Sequence, residues 1–202
     1  MIRVLPFNQP LPENAVVVDT TSRSRTWSRG LSPFVLGPCV LWGGHVSRTM
    51  ENAWQYSKVY GEFLHPRVPG DSLGPNDMGM TIDLPRWLAW ARSGWSKPRA
   101  DRYPMGKGRE PAFSYWDGER LSYVEARKQI YLPLYWNAVN YTPALQQLIE
   151  LVRTEPVVVL RDFDAYDHRA LGMTLDDVIE CSTRKMGHAF VLAMMLKSIG
   201  LE

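Results

Sequence analysis

The chain has 202 residues, 45% of them hydrophobic, and a formal net charge of +2. That suits one cored domain, or one domain with a sizeable insertion, and carries no global polyanion signal. Only Cys39 and Cys181 occur, without CxxC or Cys/His spacing, so the common zinc motifs are excluded, and neither a metal nor a cofactor is expected. The N-terminus has no charged region followed by an apolar run, and the greasiest stretch, residues 189–196, is too short to span a bilayer. A cytoplasmic protein without membrane contact is the expectation.

In chain order, residues 1–14 are Pro-rich and read as a surface wrap. Residues 15–19 are a buried strand, so residues 1–26 form an arm plus first strand, packed on a domain of residues 27–202. Residues 34–36 and 39–42 look like a short hairpin, closed by Gly43 and Gly44. A helix is predicted from Met50 to about Leu64. Residues 65–118 form a long Trp-bearing, basic loop insertion with few periodic elements. Within it Pro85 opens a helix that turns Trp87, Leu88 and Ala91 to one face. Five basic residues (Lys97, Arg99, Arg102, Lys107, Arg109) then stand against one acid, Asp101.

Order returns at Ser122, which has capping-box spacing with Glu125; that helix kinks at Pro133. Thr142 and Pro143 open a helix with Leu145, Leu148, Ile149 and Val152 on one face, and Pro156 ends it. Residues 157–160 are a second buried strand. Thr174 and Asp177 cap a helix through Cys181, and residues 187–198 form the last helix, with Gly200 beyond it. Five helices and a few short strands make a mainly α-helical α+β domain. The strands do not alternate with helices as in a doubly wound sheet, and no Gly-rich phosphate fingerprint occurs.

The helix after Thr49 carries the densest chemistry. At roughly 100° per residue, Glu51, Gln55 and Lys58 fall within about 60° of one another, while Ala53, Tyr56, Tyr60 and Phe63 point away. A carboxylate, an amide and an amine thus share a stripe on an aromatic-backed helix, although most polar stripes on helices are solvated surface. Eight Trp and nine Tyr suit a core, and equally a pocket that stacks on flat ligands. Acids in residues 161–167 follow a buried strand, where side chains often project into a crevice, though Asp is also common turn chemistry. The Arg23, Arg25 and Arg29 cluster and the basic loop suit phosphates or a nucleic-acid backbone; a solvated charged face is the alternative.

The order of these segments resembles the NADAR family, the YbiA-like N-glycosidases. Its Leu-Ser-Asn-Phe-like segment is matched by Leu31, Ser32, Pro33 and Phe34. Its Glu-x-x-x-Gln-x-x-Lys helix is matched by Glu51, Gln55 and Lys58. Tyr123, Arg127, Leu134, Tyr135 and Trp136 look like a version of its Trp-x-x-x-Arg/Lys helix. A Leu-rich helix, an apolar strand ending in an Asp-containing turn, and a closing Gly187, His188, Ala189, Phe190 segment follow in order. The resemblance covers residues 27–197. It departs where Pro33 replaces the family Asn, where Tyr123 fits the Trp spacing but only Trp116 fits the residue type, and where Leu171 and Gly172 stand one residue late for a Trp-Gly.

The resemblance implies a single NADAR-like domain that hydrolyses a ribose–base N-glycosidic linkage, such as an ADP-ribosyl or ribosylated base. The substrate would be an ADP-ribose-like or nucleotide small molecule, or modified nucleic acid; for a phage-encoded member it would be met in the host cytoplasm. Glu51, Lys58 and Asp167 would be catalytic, with Lys58 able to form a Schiff base at the ribose C1. Gln55, Trp54, Trp116, Tyr123, Arg127, Arg25, Ser32, Phe34 and Asp164 would bind substrate. Arg99, Arg102, Lys107 and Arg109 would contact phosphate or nucleic acid. The alternative is a non-catalytic ADP-ribose-, nucleotide- or nucleic-acid-binding protein of a phage or bacterial conflict system.

Overall fold

A computed structural model describes residues 1–67 and 79–201. The strands are β1 (Ile2–Leu5), β2 (Val16–Asp19), β3 (Cys39–Val40), β4 (Val46–Ser47), β5 (Lys58–Val59), β6 (Leu64–Pro66), β7 (Met80–Ile82), β8 (Phe113–Trp116), β9 (Glu119–Leu121) and β10 (Val158–Arg161). The α-helices are α1 (Met50–Gln55), α2 (Leu84–Trp95), α3 (Tyr123–Ala126), α4 (Leu132–Val139), α5 (Pro143–Thr154), α6 (Leu175–Glu180) and α7 (His188–Ser198). Helix exceeds strand and the sheets are small, an α+β composition. No helix of the described residues is long and apolar enough to cross a membrane. The chain divides into two compact units, Met1–Leu36 with Tyr135–Glu202, and Gly37–Leu134.

The first unit is built on a parallel sheet of order β1-β10-β2. All four residues of β10 are buried, as a central parallel strand requires. Ile2 pairs with Val158 and Val16 pairs with Val158 on its other side. Residues 2–5 are therefore not a surface wrap: Ile2, Val4 and Leu5 are 5%, 1% and 1% exposed. Their apolar run was obscured by the prolines that follow. Helix α7 is apolar nearly all round and packs on β1, with Ala189, Phe190, Val191 and Leu192 buried. Helix α5 starts as its sequence dictates, with Thr142 capping the Leu145 amide and Pro143 in the first turn. It lies against the 3-10 turn Trp27–Leu31, where a Cβ on Gly30 would stand 2.9 Å from Ala144 Cβ. That close approach needs a glycine.

The second unit takes up much of the aromatic content. Trp87 and Trp95 on α2 are 0% and 1% exposed, and Trp54, Tyr56, Tyr60, Phe63, Phe113 and Tyr131 are buried in the same unit. Asp83 caps α2 by accepting from the Arg86 amide, with Pro85 in its first turn. The hairpin here pairs β3 with β4 and turns at Trp42–Gly44, so Gly43 and Gly44 form its bend instead of closing it, and residues 34–36 are not a strand. Ser122 and Glu125 form the expected capping box. The irregularity near Pro133 is a π-helical turn, Arg127–Tyr131, directly before α4; a widened turn accommodates the missing proline N–H.

The expected helix over residues 50–64 ends at Gln55. Ser57 Oγ donates to the Trp54 carbonyl at 2.8 Å, and the chain then turns out to pair β5 with β8, Lys58 opposite Ser114. The region expected to be mostly loop, residues 65–118, holds β7, α2 and β8, while residues 68–78 of it lie outside the described residues. Strands β8 and β9 join through Asp117 and Gly118, both at positive φ (47° and 91°), the geometry of a two-residue type I′ hairpin.

Candidate functional site

Thr49 caps α1 by accepting from the Asn52 amide at 3.1 Å, which places Glu51 in the first turn, where a carboxylate suits the helix dipole. One turn on, Gln55 Nε2 donates to Glu51 Oε1 at 2.8 Å. Lys58 Nζ donates to Gln55 Oε1 at 2.6 Å, although Lys58 has left the helix and begun β5. The carboxylate, amide and amine therefore form one continuous hydrogen-bonded line, with the amide oriented by a charged group at each end. Glu51 is 5% and Gln55 7% exposed, while Lys58 is half-buried. Lys58 Nζ also lies 5.1 Å from the Trp54 ring, which meets Tyr131 edge-on at 5.1 Å. The Lys58 carbonyl accepts from Trp87 Nε1 at 3.0 Å, which ties the lysine backbone to α2.

In the same unit Arg127 is 1% exposed, and its guanidinium lies 4.1 Å from the centroid of the Tyr123 ring, which is 41% exposed. Trp116 is half-buried on β8, paired with Glu119. The basic loop is more structured than its composition suggests. Asn52 Nδ2 donates to the Lys97 and Arg99 carbonyls, and Asn52 Oδ1 accepts from the Asp101 amide. Lys97 Nζ lies 2.5 Å from Tyr56 Oη and 2.8 Å from Asp101 Oδ2. Burial pushes the Tyr56 hydroxyl above its ordinary pKa, and the Lys97 contact opposes that only in part. Arg109 pairs with Glu62, Arg102 stacks on Tyr103 at 5.6 Å, and Arg99 and Lys107 are exposed. Lys97 and Arg109 thus spend their charge on acids of their own unit.

The remaining expected site residues belong to the first unit. Asp167 Oδ2 accepts from Arg3 at 2.7 Å and from Gln9 at 2.9 Å. Burial raises its carboxyl, but the Ala170 amide, Gln9 and Arg3 outweigh this and hold it below the ordinary value. Ser32 is buried and accepts weakly from the Phe34 amide at 3.4 Å, which is turn chemistry. Phe34 and Asp164 are half-buried, and Arg25 is exposed.

Sequence reasoning did not find a buried charge pair of this unit. Asp162, the residue after β10, lies 3.0 Å from His188 Nδ1, while His188 Nε2 lies 2.8 Å from the Thr20 carbonyl. Both ring nitrogens face acceptors, an arrangement that suits a ring with a proton on each. Burial pushes the Asp162 carboxyl up; the His188 charge and hydrogen bond, with the Ala189 and Phe163 amides, outweigh it and bring it to about 2. The available signal was an acid closing a buried strand together with a histidine opening the last helix. Among the described residues no group of three or more His, Cys, Asp and Glu side chains is placed to hold a metal. Compared with protein-family models, curated proteins and solved structures, the chain matches none.

Proposed function

We propose that this chain is a divergent NADAR-like N-glycosidase that hydrolyses a ribose–base linkage, of the kind found in ADP-ribosylated guanine or a related nucleotide. The observation that carries the reading is the Glu51–Gln55–Lys58 line beside Trp54 and Tyr131. N-glycoside cleavage needs a proton for the departing nitrogen and a group to trap or stabilise the sugar cation. In this reading Glu51 takes the proton that Lys58 loses. Lys58 Nζ then bonds to C1 as the C1–base bond breaks. The electron pair of that bond goes to the base nitrogen, which takes the proton from Glu51. Ring opening gives a protonated imine, and water hydrolyses it to free sugar and free amine. Gln55 orients the two charged groups, and the exposed face of Tyr123, with Arg127 behind it, offers a stacking surface for the base.

A second reading, a module that binds the same ligand without turnover, is favoured by the burial of Glu51 and Gln55. One experiment separates them. The protein and its Glu51→Gln variant are incubated with ADP-ribosylated-guanine DNA and with free ADP-ribose, and release is followed by mass spectrometry. Release of ADP-ribose by the wild type and not by the variant is expected. Binding without release selects the second reading, and neither binding nor release overturns both.

A further inference from the structure

The three parallel strands of the first unit end side by side, and the loops leaving them are locked together. The Arg161 guanidinium, at the end of β10, donates to the Pro6 and Gln9 carbonyls of the loop after β1. Thr20, after β2, donates to the Arg161 carbonyl from both its amide, at 3.1 Å, and its hydroxyl, at 2.9 Å. The loop after β2 is then held by its own hydroxyls. Ser24, Thr26 and Ser28 contact one another at 2.9–3.0 Å, and Ser28 donates to the Asp19 carbonyl. In parallel sheets the carboxyl ends of the strands are where ligands bind.

What these loops present outward is aromatic and cationic. Phe7 and Phe163 are each 47% exposed, with ring centroids 5.2 Å apart, and the Arg23 guanidinium lies 5.0 Å from the Phe163 centroid. Each of the three residues comes from a different strand end. Trp27 is 37% exposed on the loop that also carries the exposed Arg25 and Arg29. Among the described residues none of Arg23, Arg25 and Arg29 is ion-paired. Of the acids in these loops, the Asp19 carboxylate accepts from the Thr21 amide and Asp167 is held by Arg3 and Gln9, while Asp164 is half-buried and Glu13 is exposed.

We infer that this face binds single-stranded nucleic acid, bases stacking on the Phe7–Phe163–Arg23 row and phosphates meeting Arg25 and Arg29. Flat exposed rings next to uncommitted guanidiniums match a polyanion with unstacked bases. A duplex offers the arginines phosphates but covers its base faces. An acidic peptide offers charge without planes. The inference does not rest on the chemistry proposed for Glu51 and Lys58.

The test is fluorescence anisotropy of the full chain with a fluorescein-labelled oligothymidylate of about 16 nucleotides, the upper site size for single-strand binders. A duplex of equal length is the competitor, with a salt titration. Phe163→Ala is expected to weaken binding by about 5- to 150-fold, the range for losing one stacked base. Phe163→Leu keeps the apolar volume and removes the ring, so it decides the matter if the alanine variant does not fold. Neutralising Arg25 and Arg29 together is expected to reduce the salt slope by about 1.4, at roughly 0.7 per phosphate contact. No binding at low salt, equal competition by duplex, or binding unchanged in Phe163→Leu overturns the proposal.

Discussion

Replacing Asp162 by Asn tests whether the buried pair at the end of β10 stabilises the first unit. The Asp162 carboxyl is held at about 2 against an ordinary 3.8, mainly because His188 outweighs the cost of burial. At 1.36 kcal/mol per pH unit, that gap corresponds to about 2 kcal/mol of stability at neutral pH. Its folded pKa is lowered, so the contribution is complete above about 4 and is lost as pH falls through about 2. Asparagine keeps the shape and an acceptor for the Ala189 amide but leaves the His188 ring without its counter-charge. The expected loss is about 2 to 3 kcal/mol at pH 7, at or just below the lower end of the range for breaking a buried pair. Urea unfolding followed by far-UV circular dichroism measures it. The gap between wild type and variant is expected to narrow as pH falls from 4 to 2. A gap under about 0.5 kcal/mol at pH 7, or one that is the same at every pH, would refute the reasoning.

Four further outcomes are expected. Asn52→Ala removes three hydrogen bonds to residues 97–101 and should cost about 2 to 4 kcal/mol, with faster amide exchange at Asp101; unchanged exchange would show that the side chain does not hold the loop. Gly94→Ala places a Cβ 2.0 Å from Tyr56 Cδ1, so it should lower thermal stability by an overpacking cost of about 1 to 3 kcal/mol. An unchanged melting temperature would mean that the ring moves freely aside. Lys58→Ala should abolish any borohydride-trapped sugar adduct, and an adduct that persists would remove Lys58 from its proposed role. Burial pushes the Cys39 thiol up to about 11, so a thiol reagent at pH 8 should label Cys181 first; equal rates would show that Cys39 is not shielded.

Local chemistry was legible in the chain; pairing across long separations was not. Ser122 with Glu125 and Thr174 with Asp177 are capping boxes because each pair lies three residues apart, within reach of a single turn. Residues 157–160 read as a buried strand from their β-branched run. Ile2–Leu5 did not, because its partner is β10, 156 residues later. The Asp117–Gly118 turn was legible by its dipeptide and was passed over as part of a basic loop. For the candidate site, Glu51, Gln55 and Lys58 were read as neighbours, and they are. The reason was wrong in one respect: Lys58 returns to Gln55 from a strand. The Asp162–His188 contact joins residues 26 positions apart through a sheet and a helix terminus, which periodicity does not encode.

The strand order β1-β10-β2 also sets a timetable for a growing chain. Among the described residues both β1 and β2 pair only with β10, so that pairing waits until residue 161 has been made. At roughly 5 to 20 residues per second, β1 waits about 8 to 30 seconds after it is synthesised. The stretch Gly37–Leu134 is completed during that interval, and among its described residues each strand finds its partners within it. On a ribosome, residues 37–134 are ready to fold before residues 2–5 and 16–19, whose pairing waits for residues 158–161.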